Sequence, residues 1–370
     1  MNRGVERFFD TRAAYMLFVT ATDEKTVVAE RLAGEMAAIT VSPPGLRLLD
    51  AGMGDATVLS HLMRRAHRIH PHIPWLVVAK EISIEDVRQA LAKIPDRLLE
   101  HPELVFVVTN MRFSEVANLE PADGSQPVWT ELAVEGSSTD EFGDQIRGLF
   151  RDLAEDWAVD TSPVTGNPVY RTPAVLVIYR KDREFLVRPL IPRPGSVVDG
   201  FDLVIASQTY RARTPVERKV SNVIAPLANA LAPGGRLVGV HAHGSDVATE
   251  ILRGVWPGED SFPHDRHDLL AEAERQLGSD NGFVFESLPD ERALIRYRMH
   301  SMPSQEAEHI GTSMLVAAFT AAAYVGQVDE MRLSEAISSA SYLEPTRSVL
   351  ESHDDVWFLD EMYVIGRQAE

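Results

Sequence analysis

The chain has 370 residues, 45% of them hydrophobic and 25% charged, the balance of an ordinary folded chain with enough length for one large or two modest cores. The absence of cysteine excludes a disulfide framework, a thiolate nucleophile and a cysteine zinc site. Against 36 basic residues stand 55 acidic ones, a formal net charge of −19, which argues against nucleic acid and favours a neutral or cationic small molecule as partner.

Arg3, Glu6 and Arg7 near the N-terminus and the lack of an export-type apolar core predict a cytoplasmic protein. Over 5–38, Phe8, Phe9, Ala13, Met16, Leu17 and Val19 share a helical face, and Thr22-Asp23-Glu24 marks a second helix start. The segment therefore reads as one or two helices, on which Arg12 and Tyr15 are candidates for ligand contact; core packing explains Tyr15 equally well. Pro43-Pro44-Gly45 punctuates the entry to the first strand.

Residues 45–59 carry the most information. An apolar run ends in Asp50, Gly52 and Gly54 alternate, and helix-compatible residues follow, which predicts strand, glycine turn and helix start. In the dinucleotide fingerprint the glycines follow the strand directly. Here a carboxylate precedes them in the spacing D-x-G-x-G-x-A, which repels a pyrophosphate and tolerates a cationic amino-acid group. The plain alternative for Asp50 is a helix cap.

A second run, 75–81, ends in Glu81, an acidic residue placed to take two ribose hydroxyls or else a solvated strand end. Crossover helices are expected at 57–69 and 83–98, the latter opening with a cap at Ser83. A third run, 104–110, ends in Asn110. The segment 118–198 is far longer than a doubly wound sheet requires. It reads as a helix over 140–157 and a hairpin of 174–179 with 184–191, forming a cap over the crevice; a remote decoration or dimerisation arm is the alternative. Strands are expected at 201–208, after the Pro-Gly-Gly turn within 227–240, at 292–299 and at 356–365, with a helical block at 304–351. The alanine-rich tract 314–325 is too short to span a bilayer and predicts a buried helix.

In order and spacing, Asp50-Ala51-Gly52-Met53-Gly54, Glu81, Asn110-Met111, Phe201-Asp202 and Pro233-Gly234-Gly235 resemble the class I S-adenosylmethionine-dependent methyltransferases. The chain departs from their first motif at Ala56, where the family has a third glycine. The resemblance covers about 40–115 and 200–300. It implies an α/β fold with a doubly wound, mostly parallel seven-stranded sheet whose last strand is antiparallel. The cofactor-binding domain would comprise 41–117 and 199–303, with residues 1–40 as a helical lid folded over the cofactor, the inserted α+β cap between its halves, a helical insertion at 304–351 and a terminal strand in 352–370. It further implies S-adenosylmethionine as cofactor, surrounded by Asp50, Ala51, Gly52, Gly54, Glu81, Ile82, Asn110, Met111, Ser207 and Gln208. Asn110 and Met111 would bond the adenine edge and cover its face.

Methyl transfer from a sulfonium is an in-line displacement, so alignment in a dry pocket supplies much of the acceleration. A base is needed only when the acceptor must lose a proton. Candidates after the fourth and fifth strands are Tyr210, His241 and His243, with Gln208 and Thr209 beside them. His241, His243, His264 and His267, with Asp246, Asp265 and Asp268 nearby, are the residue types of a divalent-metal site, but nothing in the sequence brings the two histidine pairs together, and no metal is expected. The acceptor would be a small molecule, with no nucleic acid or membrane, and a homodimer is left open. Aminocarboxypropyl transfer from the same cofactor, or a non-catalytic binding or assembly protein, are the alternatives.

Overall fold

The computed structural model describes residues 12–163, 166–196, 198, 200–278, 281–300 and 311–369. The expectations on Phe8, Phe9 and 304–310 lie outside them. The strands are β1 (Leu46–Asp50), β2 (Trp75–Lys80), β3 (Leu104–Thr109), β4 (Val128–Val134), β5 (Val159–Thr161), β6 (Pro168–Tyr170), β7 (Ala174–Arg180), β8 (Phe201–Ser207), β9 (Leu231–Ala242), β10 (Phe283–Glu286), β11 (Leu294–Arg298) and β12 (Trp357–Arg367).

Ten strands form one sheet in the order β10-β12-β9-β8-β1-β2-β3-β7-β4, with β11 paired to β12, while β5 and β6 make a separate ribbon. The central five, β9 to β3, run parallel. β1, β2, β3 and β8 are buried almost throughout, because helices cover both faces and leave no position for a polar alternation. The fold is a doubly wound α/β sheet, and β12 runs antiparallel beside β9 as the closing strand.

Val28 and Leu32 of helix Glu24–Met36 and Leu59 and Leu62 of helix Thr57–Ile69 pack with Leu48, Val77 and Phe106 on one face. On the other face, Ile224, Leu227 and Leu269 pack with Leu49, Val78 and Leu237. A third apolar cluster joins Phe18 of helix Arg12–Ala21 to Ile251, Leu315, Phe319 and Phe358. The expected C-terminal helical block is present as Thr312–Val325, Glu330–Ser338 and Leu343–Glu351. Among the described residues no helix is long and apolar enough to cross a membrane.

Two expectations need correction. The sheet has ten strands rather than seven, because β4 and β7 of the 118–198 segment extend it beyond β3 and β10 adds to the other edge. The hairpin of 174–179 with 184–191 does not form. β7 joins β3 instead, and the chain then turns through the short helical segments Lys181–Arg183, Glu184–Val187 and Arg188–Leu190. There Val187, Leu190 and Ile191 are buried and Phe185 and Leu186 exposed, without a strand's alternation, and Pro189 could not donate to a ladder. The inserted segment therefore widens the sheet, while its helices Thr139–Gly148 and Phe150–Asp156 pack beside Ile94–Glu100 and Ile84–Leu91.

Candidate active-site crevice

Strand order reverses between β8 and β1, and open α/β sheets bind ligands at the carboxyl ends flanking such a point. Asp50 ends β1 on one side of this reversal, and Ser207, Gln208 and Thr209 end β8 on the other. Gly52 is exposed between them, and a Cβ there would come within 3.0 Å of Thr209 Cγ2 and 3.4 Å of the Ser207 carbonyl. Gly54 sits at φ +54°, and Tyr15 of the first helix places its hydroxyl 3.6 Å from the point where a Gly54 Cβ would lie. Ala51 is buried and its N–H donates to the Ile205 carbonyl at 2.9 Å, which ties the turn to β8.

The Asp50 carboxylate is buried and accepts the Gly52 N–H at 3.2 Å. Burial, opposed by that hydrogen bond and reinforced by Glu81, pushes its pKa up to about 7. Glu81 is equally enclosed: Oε2 accepts Gly54 N–H at 2.9 Å, while Oε1 accepts Ile82 and Ser83 N–H at 2.7 and 2.8 Å. Burial raises its pKa as well. Glu81 thus clamps the glycine turn to the start of the next helix, and Ile82 is half-buried beside it. Neither carboxylate is a solvated strand end, and Asp50 does not cap a helix: the helix beyond the turn starts from Ala56, without a side-chain cap.

The third strand end is used differently from the expectation. Asn110 Oδ1 accepts Ala174 N–H at 2.9 Å, and Nδ2 donates to the carbonyls of Thr172 (2.9 Å) and Asp156 (3.2 Å). Its amide is committed to the inserted segment, and Met111 is wholly buried in the core. The pair is therefore not placed to receive an adenine in this structure. Trp157 Nε1 adds a further tie from the insertion, donating to the Glu81 carbonyl at 2.9 Å.

Gln208 holds a left-handed φ of 52°, strained for a residue with a Cβ, and its amide donates to Asp360 Oδ2 at 3.1 Å. Thr209 Oγ1 is buried without a hydrogen-bond partner among the described residues. Beneath them Asp360 is fully buried, and burial next to Glu24 and Asp246 pushes its pKa well above the carboxylate range.

The three proton-transfer candidates lie together but are poorly suited to that task. The Tyr210 hydroxyl donates to Tyr363 Oη at 3.2 Å, and burial and Tyr363 hold its pKa well above the phenolic value. His241 is buried 3.3 Å from Glu361, with its ring 6.0 Å from that of Tyr210; burial, then Lys219 and His243, push its pKa down to about 3. A base that weak stays unprotonated at neutral pH but gains little by accepting a proton. His243 is half-buried, with Nδ1 2.8 Å from the Gly244 carbonyl. His264 lies 3.9 Å from Asp268 within one local turn.

Sequence reasoning missed Lys25, Glu24 and Asp360. The first two give no signal, being a polar start to an amphipathic helix. Asp360 does: Asp360 and Glu361 are adjacent acids inside an apolar strand, and alternation sends one to each face, Asp360 to Gln208 and Glu361 to Arg266 (Nη1 at 3.1 Å).

No family profile matches the chain, and no curated protein is similar to it. Solved structures to which it is similar include geranyl diphosphate methyltransferase in complex with SAM, at 11% identity and TM-score 0.31, covering 92% of this chain and 84% of that one. Loganic acid methyltransferase with SAH is similar at 9% identity and TM-score 0.32 (98% and 96% covered). Streptomyces venezuelae DesVI is similar at 14% identity and TM-score 0.28 (97% and 99% covered). Likenesses this distant leave the chemistry to be read from the crevice itself.

Proposed function

We propose that the chain binds S-adenosylmethionine at the β1–β8 crevice and transfers its methyl group to a small-molecule acceptor. The observation that carries the reading is the buried Asp50 carboxylate beside exposed Gly52 at the strand-order reversal, with the Thr209 hydroxyl, which has no hydrogen-bond partner among the described residues, across from it. A ligand backbone can lie against Gly52 where a Cβ would fill the space, and an ammonium suits Asp50. The fit is good for the amino-acid end of the cofactor. At the adenine end Asn110 and Met111 are engaged elsewhere, so a base there would need other walls.

Bound S-adenosylmethionine supplies an activated methyl group. Asp50 would hold the ammonium, and the Gly52–Gly54 turn, fixed by Glu81, would set the donor's position against β8. Gln208, pinned by Asp360, would shape the wall facing the acceptor. The helix Arg12–Ala21, with Tyr15 over Gly54, would exclude water. The acidic surroundings favour a neutral or cationic acceptor, and neither Tyr210 nor His241 is suited to take a proton, so an acceptor already bearing an available lone pair suits the site best.

The test is a calorimetric titration of cofactor-stripped protein with S-adenosylmethionine and S-adenosylhomocysteine. Micromolar binding of both, about −8 kcal/mol, supports the reading; no binding of either removes it. The committed Asn110 and buried Met111 favour one other reading, a protein that keeps the fold for binding or assembly without turnover. Binding without product across an acceptor screen would select it. Release of methylthioadenosine in place of S-adenosylhomocysteine would instead indicate aminocarboxypropyl transfer.

A further inference from the structure

We propose that Lys25 is the group that receives the carboxylate of the cofactor's amino-acid arm; this rests on the reading above. That arm is a zwitterion. Its ammonium suits the acidic crevice, but its carboxylate would face Asp50, Asp55, Glu24 and Asp360 and be repelled unless a cation stands among them.

Lys25 is placed for that role. It lies in the first turn of helix Glu24–Met36, with its side chain 23% exposed and its ammonium 5.8 Å from the Tyr15 ring centroid. Tyr15 in turn places its hydroxyl 3.6 Å from the point where a Gly54 Cβ would lie, so one tyrosine ring links the ammonium to the glycine turn. Asp50, Asp55 and Asp360 all feel its charge. Among the described residues its nearest ionic partner is Glu24 Oε2 at 3.5 Å, and that oxygen has no hydrogen bond of its own. The Lys25 donors are therefore available to a ligand. Two further lysines near the turn are not comparable: the Lys93 ammonium donates to the Asp55 carbonyl (2.6 Å), Asp55 Oδ2 (3.2 Å) and the Gln89 carbonyl (3.4 Å), and that of Lys80 lies over the Phe113 ring, 5.0 Å from its centroid. Burial opposes the Lys25 charge, but Glu24, Tyr15 and Tyr324 hold its pKa above the ordinary lysine value, so it stays cationic at any working pH.

The experiment measures the affinity of full-length wild type, Lys25→Met and Lys25→Arg for S-adenosylmethionine and for its decarboxylated form, which keeps the sulfonium and ammonium. Wild type is expected to prefer the carboxylated ligand. Lys25→Met is expected to weaken S-adenosylmethionine binding by about tenfold or more (~1.4 kcal/mol) and to leave the decarboxylated ligand unchanged or tighter. Lys25→Arg, which keeps the charge, should retain the preference. Equal weakening of both ligands by Lys25→Met, no weakening of S-adenosylmethionine, or a wild type indifferent to the carboxylate would each overturn the assignment. A wild type that binds neither ligand would overturn the cofactor reading itself. Matched melting curves for the three proteins exclude unfolding as the cause.

Discussion

Asp50 carries a testable cost. Its folded pKa, about 7, lies above the ordinary 3.8 because burial disfavours the charge. The folded state therefore keeps a proton that the unfolded chain releases, and this group's contribution to stability falls as pH rises from about 4 to about 7. Asp50→Asn keeps an acceptor for Gly52 and removes the charge. In urea titrations it should be more stable than wild type at pH 8, by the order of 2–4 kcal/mol, with the gain gone by pH 4. Asn110 predicts the opposite. Asn110→Ala leaves the Ala174 N–H and the Thr172 and Asp156 carbonyls without their partner, and should cost about 2–4 kcal/mol in the same titration at any pH. Asp50 and the glycines were legible in sequence because strand end, carboxylate and glycine turn fall within a few consecutive residues, with Asp50 accepting the N–H of Gly52 two positions on. The role of Asn110 was not, since its partners lie 46 to 64 residues on. Ala56, where the resembled family has glycine, takes the left-handed φ of 61° a glycine would take, and its methyl is buried in the core against that strain.

Strands buried on both faces could be read as continuous apolar runs, and β1, β2, β3, β8 and β12 were found that way. The same signal misled at 184–191, where an apolar run interrupted by Pro189 mimics a strand but buries Val187, Leu190 and Ile191 without the alternation of one. Which strand β7 would join was also hidden, because pairing is decided by edges that only the assembled sheet possesses. Close packing between elements makes its own prediction at β9 and β12. Tyr363 lies over Gly239, and a Cβ on that glycine would sit 1.9 Å from the Tyr363 Cζ. Gly239→Ala should destabilise by more than the ~1–3 kcal/mol usual for overpacking. Combined with Tyr363→Val it should cost less than the sum of the two single changes, which a double-mutant cycle in denaturant would show.

At the scale of the whole molecule, a formal charge of −19 opposes compaction through self-repulsion. Raising monovalent salt from about 10 to 300 mM shortens the screening length from about 30 Å to under 10 Å, so the melting temperature should rise by a few degrees; a flat or falling response would show that local ion pairs dominate. By itself, the sequence determined the doubly wound class, the position of the glycine turn and the carboxylates at the ends of β1 and β2, because each depends on burial pattern and spacing within a few residues. Only the tertiary structure decided what lies across the crevice. It brought Lys25 and Tyr15 from the N-terminal helices, Gln208 and Thr209 from β8 and Asp360 from β12 to one place, and turned Asn110 towards the insertion. Those placements depend on which edges and faces meet when the chain closes, and a one-dimensional pattern does not encode the meeting of residues more than three hundred positions apart.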